Sequence, residues 1–422
     1  MRIGIAGAGI AGLALAWLLD DRHDVVLLEE RGRLGGNLES VLIHHGGRRV
    51  CADIGVRETP AEDSTLWRTV ARLAGFPAEQ VTFPASRTVF RNPGTTPLWR
   101  YPGQDEGPVP GSGPGNRALS GLAEEAARRE TENLSWDLAL GQLLDKWSLT
   151  GTPAAEAVCA LPASLHGCTL DEARGLSARS VGSLLGEMRP APHRPATTTL
   201  LREGTGGLAH ALASGLRSAS VHLGLSLGRL TALDCGLGMI DTTGSEHAVD
   251  AVVLALPADR AAKVLGTLPG AEGVRAALAR VPYRDLVYGL HLDPFGMPAD
   301  RRAWAATNVS LHGRWSESTN WYGPAPGADL FVSQLTQRTG TPRLPLATSH
   351  FRTRLPTPSA HRAADLLRAA QGRGGIFLAG HCATHDDTQE SALASAVSVA
   401  ERLAPDSRRL CRLRTERREE VR

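Results

Sequence analysis

Lysine is almost missing from this 422-residue chain: Lys146 and Lys263 are the only two, and nearly every positive charge is an arginine. Chemistry that needs a lysine therefore has two positions to draw on. Net charge is equally scarce, because 46 basic side chains face 44 acidic ones for a balance of +2. That balance leaves no electrostatic footprint for a nucleic acid. The six cysteines stand apart at 51, 159, 168, 235, 382 and 411, with no C-x-x-C pair and no His/Cys group at zinc spacing. No metal site is expected, and scattered reduced thiols suit a cytoplasmic protein. H-E-x-x-H does not occur, so a metalloprotease reading lacks support.

Long hydrophobic runs are missing too. Residues 3–19 carry no charge, but Gly4, Gly7, Gly9 and Gly12 interrupt them, and glycine fills an apolar helix poorly. The run is short for a membrane span, and its glycines argue against a signal peptide. No stable membrane insertion is expected. With 42% hydrophobic and 21% charged residues the composition is globular, and the length suggests two or three domains.

What is present begins with those glycines. Arg2-Ile3-Gly4-Ile5-Ala6 reads as a short buried strand, and Gly7-Ala8-Gly9-Ile10-Ala11-Gly12 is G-x-G-x-x-G opening a helix that runs to Asp20. Val25-Val26-Leu27-Leu28 is a second strand ending in Glu29, at the separation from Gly7 that a β-α-β dinucleotide site requires. The first glycine permits the tight turn, the second lets backbone approach a pyrophosphate, and the third lets helix pack on strand. Free N–H groups at the helix start suit phosphates, and Glu29 can accept from ribose hydroxyls.

Glu29-Glu30 runs on into Arg33-Leu34-Gly35-Gly36-Asn37. Here the sequence resembles the FAD-dependent amine oxidase and phytoene desaturase superfamily, in which an acidic strand end leads into R-x-G-G. The resemblance implies non-covalent FAD, with Gly7, Gly9, Ala11, Gly12, Glu29, Glu30, Arg33, Gly35, Gly36 and Asn37 around it. Many relatives have arginine where this chain has Asn37. Cys51-Ala52-Asp53-Ile54-Gly55 looks like the strand that returns to the flavin. Gly206-Gly207-Leu208, then 223–230 and 251–257, resemble the second FAD block, where backbone at Leu227 would contact adenine. Ile376-Phe377-Leu378-Ala379-Gly380 resembles the last FAD strand, leading through Glu390-Ser391 into a helix of small residues. His381 stands where relatives carry an acid, and Gly380, His381, Glu390 and Ser391 are the implied contacts. Cys382 does not align with the family's covalent flavin cysteine. The C-terminal pattern is most similar to a bacterial branch of predicted NAD/FAD-binding proteins linked with fatty-acid modification.

The fold class expected is α/β: a discontinuous Rossmann-type FAD domain at 1–82, 202–280 and 370–404, with an inserted α+β substrate domain. That insertion takes 83–201 and 281–369. Residues 92–115, rich in proline and glycine, read as an exposed loop. Helical periodicity marks 118–129, 136–147, 153–160 and 177–186, and 281–292 reads as a strand. Trp321 and Tyr322 either belong to sheet core or border the substrate cavity. The tail, 405–422, is charged and shows no apolar face, so a frayed solvated end is expected.

The resemblance also locates the chemistry. Amine oxidases of the superfamily carry a lysine whose bridging water reaches flavin N5, and in the matching frame its position falls on Tyr288. Tyr288 is thus the candidate catalytic residue, either as proton donor or acceptor or as simple packing. The leading expectation is an FAD-dependent oxidoreductase, dehydrogenase or oxidase, acting on an apolar or amphipathic small molecule of the kind met in lipid or natural-product biosynthesis. The alternatives are a redox-neutral double-bond isomerase and a flavin-binding protein without turnover. The partner is a small-molecule substrate; the electron acceptor is left open.

Overall fold

The computed structural model describes residues 1–45, 47–57, 65–84, 86–92, 97–101, 115–133, 135–187, 197–323 and 329–420. Its first unit is the one read from the glycines. Strand β1 (Arg2–Ala6) leads through a tight turn into helix α1 (Ile10–Leu19) and back to strand β2 (Asp24–Glu29). Every residue of α1 is buried, the expected state of a helix that is apolar on all sides. A β-carbon on Gly12 would fall 1.9 Å from the Gly7 carbonyl oxygen, so the helix lies too close to the turn for any side chain there.

Five parallel strands form the central sheet, in the order Ile376–Leu378, Ala251–Leu254, β1, β2, Ser220–Leu223. One face carries α1 and the helices Thr65–Leu73, Gly206–Ser214 and Gln389–Leu403. The other carries a three-stranded meander (Leu227–Ala232, Leu237–Asp241, Glu246–Val249) and the helices Ala258–Leu265 and Pro358–Ala369. Burying both faces is what an all-parallel sheet needs.

A second, seven-stranded sheet is mixed. Its order is Pro345–Arg354, Tyr283–His291, Phe331–Gln334, Trp315–Trp321, Thr307–His312, Arg87–Arg91, Pro97–Tyr101. Helices Leu140–Lys146 and Pro153–His166 pack over one end of it. At the other end the hairpin Ser40–His45/Arg48–Asp53 lays Ala52 and Ile54 against Leu286, Leu290, Val332 and Phe351. Tyr288 and Tyr322 join this junction.

Two segments depart from the sequence reading. The stretch at 92–115 contains the strand Pro97–Tyr101, while 93–96 and 102–114 lie outside the described residues. The expected frayed tail is instead a helix, Arg408–Glu420, with Leu410 and Leu413 buried at 0% and 1% exposure. Two leucines three residues apart suffice, because they need only close the gap beside Trp17 and the Thr65–Leu73 helix.

Candidate dinucleotide and substrate site

The crevice at the carboxyl ends of the central strands is where ligands bind in this type of sheet. The glycine loop bends there with Gly7 at φ +99°, a backbone conformation that suits glycine. Gly9 begins α1 without a capping side chain, and a β-carbon built on it would meet nothing within 4 Å. Glycine is therefore not required at Gly9 by the protein's own packing; it leaves a cradle open beside the first helical amides.

The R-x-G-G segment closes the other side. Gly9 and Gly35 form an isolated parallel bridge, and the Gly35 N–H donates to the Ala8 carbonyl at 2.8 Å. Gly36 lies against the Gly9 Cα, 3.1 Å from where its own β-carbon would be. The two glycine motifs are thus joined to each other as well as to the crevice.

Glu29 is buried at the end of β2. One carboxylate oxygen accepts from the Ala8 N–H at 2.7 Å and the other from the Arg31 N–H at 2.9 Å. Each oxygen keeps a second lone pair for a ligand. Glu30 is exposed. Leu227 is buried nearby, since the Gly224 and Leu225 N–H groups donate to the carbonyls of Arg31 and Glu29.

Several side chains named from the sequence are already engaged. Arg33 pairs with Glu39, which also accepts from Ser349, and burial lowers its guanidinium pKa against the opposing pull of the Glu39 carboxylate. The Asn37 amide donates to the Arg352 carbonyl at 2.9 Å. Both oxygens of Glu390 cap the helix Thr65–Leu73, accepting from Leu66 and Trp67 N–H at 2.9 and 2.7 Å. Ser391 completes a capping box with Thr388. For Arg33, Asn37, Glu390 and Ser391 the side chain is thus tied to other parts of the protein.

Gly380 comes close to the first helix: a β-carbon on it would lie 3.6 Å from that of Ala11. His381 follows and forms an ion pair with Asp387. Burial opposes protonation of the imidazole, and the Asp387 carboxylate outweighs it, raising the His381 pKa. From behind, fully buried Arg354 donates to the carbonyls of His381 (2.8 Å), Thr384 and His385 (2.5 Å).

Asp53 and Arg354 are the residues that sequence reasoning missed. Asp53 accepts at one oxygen from Ser40, from the Thr205 N–H (2.8 Å) and from the Thr205 hydroxyl (3.0 Å), which fixes the start of the Gly206–Ser214 helix. Burial nevertheless holds its carboxyl pKa above the ordinary value. The acid that ends the apolar run Val50-Cys51-Ala52 was the available signal. Arg354 gave none.

Tyr288 sits on the large sheet's inner face, with its ring edge-on to Phe351 at 6.0 Å. Phe351 in turn packs on Gly55, where a β-carbon would come 2.9 Å from the ring. Burial raises the phenol pKa, so it is protonated at neutral pH. The two neighbouring aromatics separate: the Tyr322 hydroxyl donates to the Asp53 carbonyl at 2.9 Å, on the Tyr288 side. Trp321 instead donates to Asp329 and packs edge-on to Trp304, on the opposite face. Among the described residues no group of three His, Cys, Asp or Glu could hold a metal, and no helix is long and apolar enough to cross a membrane.

Residues 5–73 match the family model described as an NAD(P)-binding Rossmann-like domain. No curated protein matches the sequence. Among solved structures, the cyclohexylamine oxidase of Brevibacterium oxydans IH-35A superposes with a TM-score of 0.66 at 15% identity, covering 95% of this chain and 99% of that one. The fatty acid isomerase of P. acnes that produces CLA gives 0.65 at 14%, covering 95% and 98%. The putative protoporphyrinogen oxidase of Exiguobacterium sp. 255-15 gives 0.62 at 16%, with the same coverages. The chain therefore shares its fold, over nearly its whole length, with these three solved proteins, and residues 5–73 form its Rossmann-like unit.

Proposed function

We propose that this chain is an FAD-dependent oxidoreductase that removes hydride from an apolar or amphipathic small molecule. The observation that carries the reading is the cradle at Gly9, open on the ligand side and bounded by Glu29, Gly35 and Gly36. FAD fits it: helix amides and glycine backbone for the pyrophosphate, and spare lone pairs on Glu29 for ribose hydroxyls. Bound FAD would supply the capacity to accept hydride. The protein's own share is to hold, orient and exclude water. Gly380 and His381 present backbone and an imidazole beside α1, Asp387 favours protonation of that ring, and Arg354 fixes the loop. Tyr288 offers a neutral O–H and cannot copy a lysine's charge.

The test is direct. The purified protein should be yellow and should release intact FAD on denaturation; flavin that stays with the precipitated chain would contradict non-covalent binding, and a colourless protein the whole reading. A second reading, hydride out and back to give double-bond isomerisation, is favoured by the tyrosine at 288 and by the shared fold with a fatty acid isomerase. Anaerobic mixing with substrate separates the two. Lasting flavin bleaching indicates oxidation, whereas product without accumulated reduced flavin or an external acceptor indicates isomerisation.

A further inference from the structure

One rung on the inner face of the large sheet is polar across neighbouring strands. Tyr288 is paired with Gln334, and one step beyond the Thr319–Ser333 pair the register sets Ser318 beside Gln334. Directly opposed residues on a sheet face have β-carbons about 4.5–5.5 Å apart. The rung lies between two covers. The helix Pro153–His166 roofs the face on one side, where Ser316 donates to the Ala160 carbonyl at 2.7 Å. Ala52 and Ile54 cover Leu290 and Val332 on the other.

Gln334 is fully buried at 0% exposure, and neither its Nε2 nor its Oε1 has a hydrogen-bond partner. Among the described residues it alone leaves both ends of a side chain unpaired in this way. A buried amide with donor and acceptor both unmade is one of the costliest features a core can contain, and native cores hold few. Its surroundings do not offer relief: Gly167 approaches it to 3.6 Å, measured from Nε2 to a β-carbon built there, and Leu286 lies alongside. The Ser318 hydroxyl is within reach of the Tyr288 phenol, and Arg57 projects positive charge onto both Tyr288 and Tyr322.

We propose that Gln334 determines substrate specificity, its carboxamide pairing with a planar head group that both donates and accepts, a carboxamide or an un-ionised carboxylic acid, on an otherwise apolar substrate. An ammonium would satisfy Oε1 only and would meet the field of Arg57. A carboxylate would satisfy Nε2 only. The inference rests on the flavin oxidoreductase reading, since it assigns this rung to that enzyme's substrate cavity.

The FAD-loaded protein is titrated with octanamide, octanoic acid and octylamine, with the flavin absorption spectrum as readout. Octanamide should bind at least tenfold more tightly than octylamine at every pH, and octanoic acid should gain affinity as pH falls toward its own pKa. Gln334→Leu should keep FAD, lose at least tenfold in octanamide affinity and leave octylamine within about twofold. Gln334→Glu, nearly isosteric, covers the case in which the leucine variant does not fold, and should reverse the amide-over-amine preference. Octanamide binding unchanged in Gln334→Leu, no reversal in Gln334→Glu, or no probe that perturbs the flavin each overturns the proposal, leaving Gln334 as a core amide met by internal water. A wild-type protein without flavin overturns the enzyme reading as well, whereas a yellow protein that does not discriminate overturns this inference alone.

Discussion

Glu29 holds the turn of the glycine loop and the start of the next segment with its two oxygens, from Ala8 and Arg31. Glu29→Ala removes both ties along with the acceptor offered to a ribose. Hydrogen bonds to charged groups contribute about 1.5–3 kcal/mol, so FAD affinity should fall roughly 10- to 150-fold; equilibrium release of flavin fluorescence measures it. Arg33→Ala should cost less, because that guanidinium is committed to Glu39 in a partly exposed pair. Equal losses in the two variants would mean that Arg33 leaves Glu39 for the cofactor phosphate. Tyr288→Phe should retain FAD and change turnover, since it deletes only a hydroxyl. With its pKa raised by burial, the phenol stays protonated as pH rises, so the wild-type pH–rate profile should show no loss from this group below about pH 10. The glycine spacing and the acid at 29 were legible because a β-α-β turn dictates residue types locally. The engagement of Arg33 was not, since Ser349, the other partner of Glu39, lies 310 positions away.

At the scale of elements, the helix Thr65–Leu73 begins on a carboxylate from the far end of the chain. Glu390→Ala uncaps two amides and should destabilise the protein by about 0.5–2 kcal/mol, read as a lower urea midpoint. If only FAD affinity falls and the midpoint stays, Glu390 acts on the cofactor and not on the helix. Removing residues 405–422 exposes the surface that Leu410 and Leu413 cover. At about 1.5–3 kcal/mol for each buried leucine the truncated protein should lose roughly 3–6 kcal/mol, seen as a drop in thermal midpoint. The leucine spacing was visible in the sequence, but six arginines between 408 and 418 hid it. The strand at 281–292 and the helix at 177–186 were readable from period alone and differ from Tyr283–His291 and Ala178–Glu187 by a residue or two at their ends. The unpaired amide of Gln334 was not readable, because only the three-dimensional register shows what a buried polar group lacks.

Across the whole molecule, stability should respond to acid through His361. Burial, together with the charges of Arg354, His385 and Arg179, pushes its imidazole down to about 3. The folded protein keeps this group neutral while the unfolded chain protonates it near 6.5. Its contribution is therefore complete above that pH and is lost as pH falls toward 3, by up to about 1.4 kcal/mol per unit. Urea unfolding at pH 7 and pH 5 should show a drop that is smaller in His361→Gln; equal drops would place the acid sensitivity elsewhere. The order of the central sheet has a different kind of consequence, one of timing. Its strands come from residues 2–6, 24–29, 220–223, 251–254 and 376–378. At a synthesis rate of about 5–20 residues per second, the last strand leaves the ribosome roughly 20–75 seconds after β1 and β2. For the final part of that interval, about 6–25 seconds at the same rate, Ala251–Leu254 has emerged and its outer edge has no neighbour, and an unpaired, fully apolar edge is a template for aggregation. The loop at Gly380 arrives only with that last strand, so the newborn chain has to be kept apart from its copies before it can close around a dinucleotide. Raising the supply of flavin should then rescue finished chains and do nothing for stalled ones.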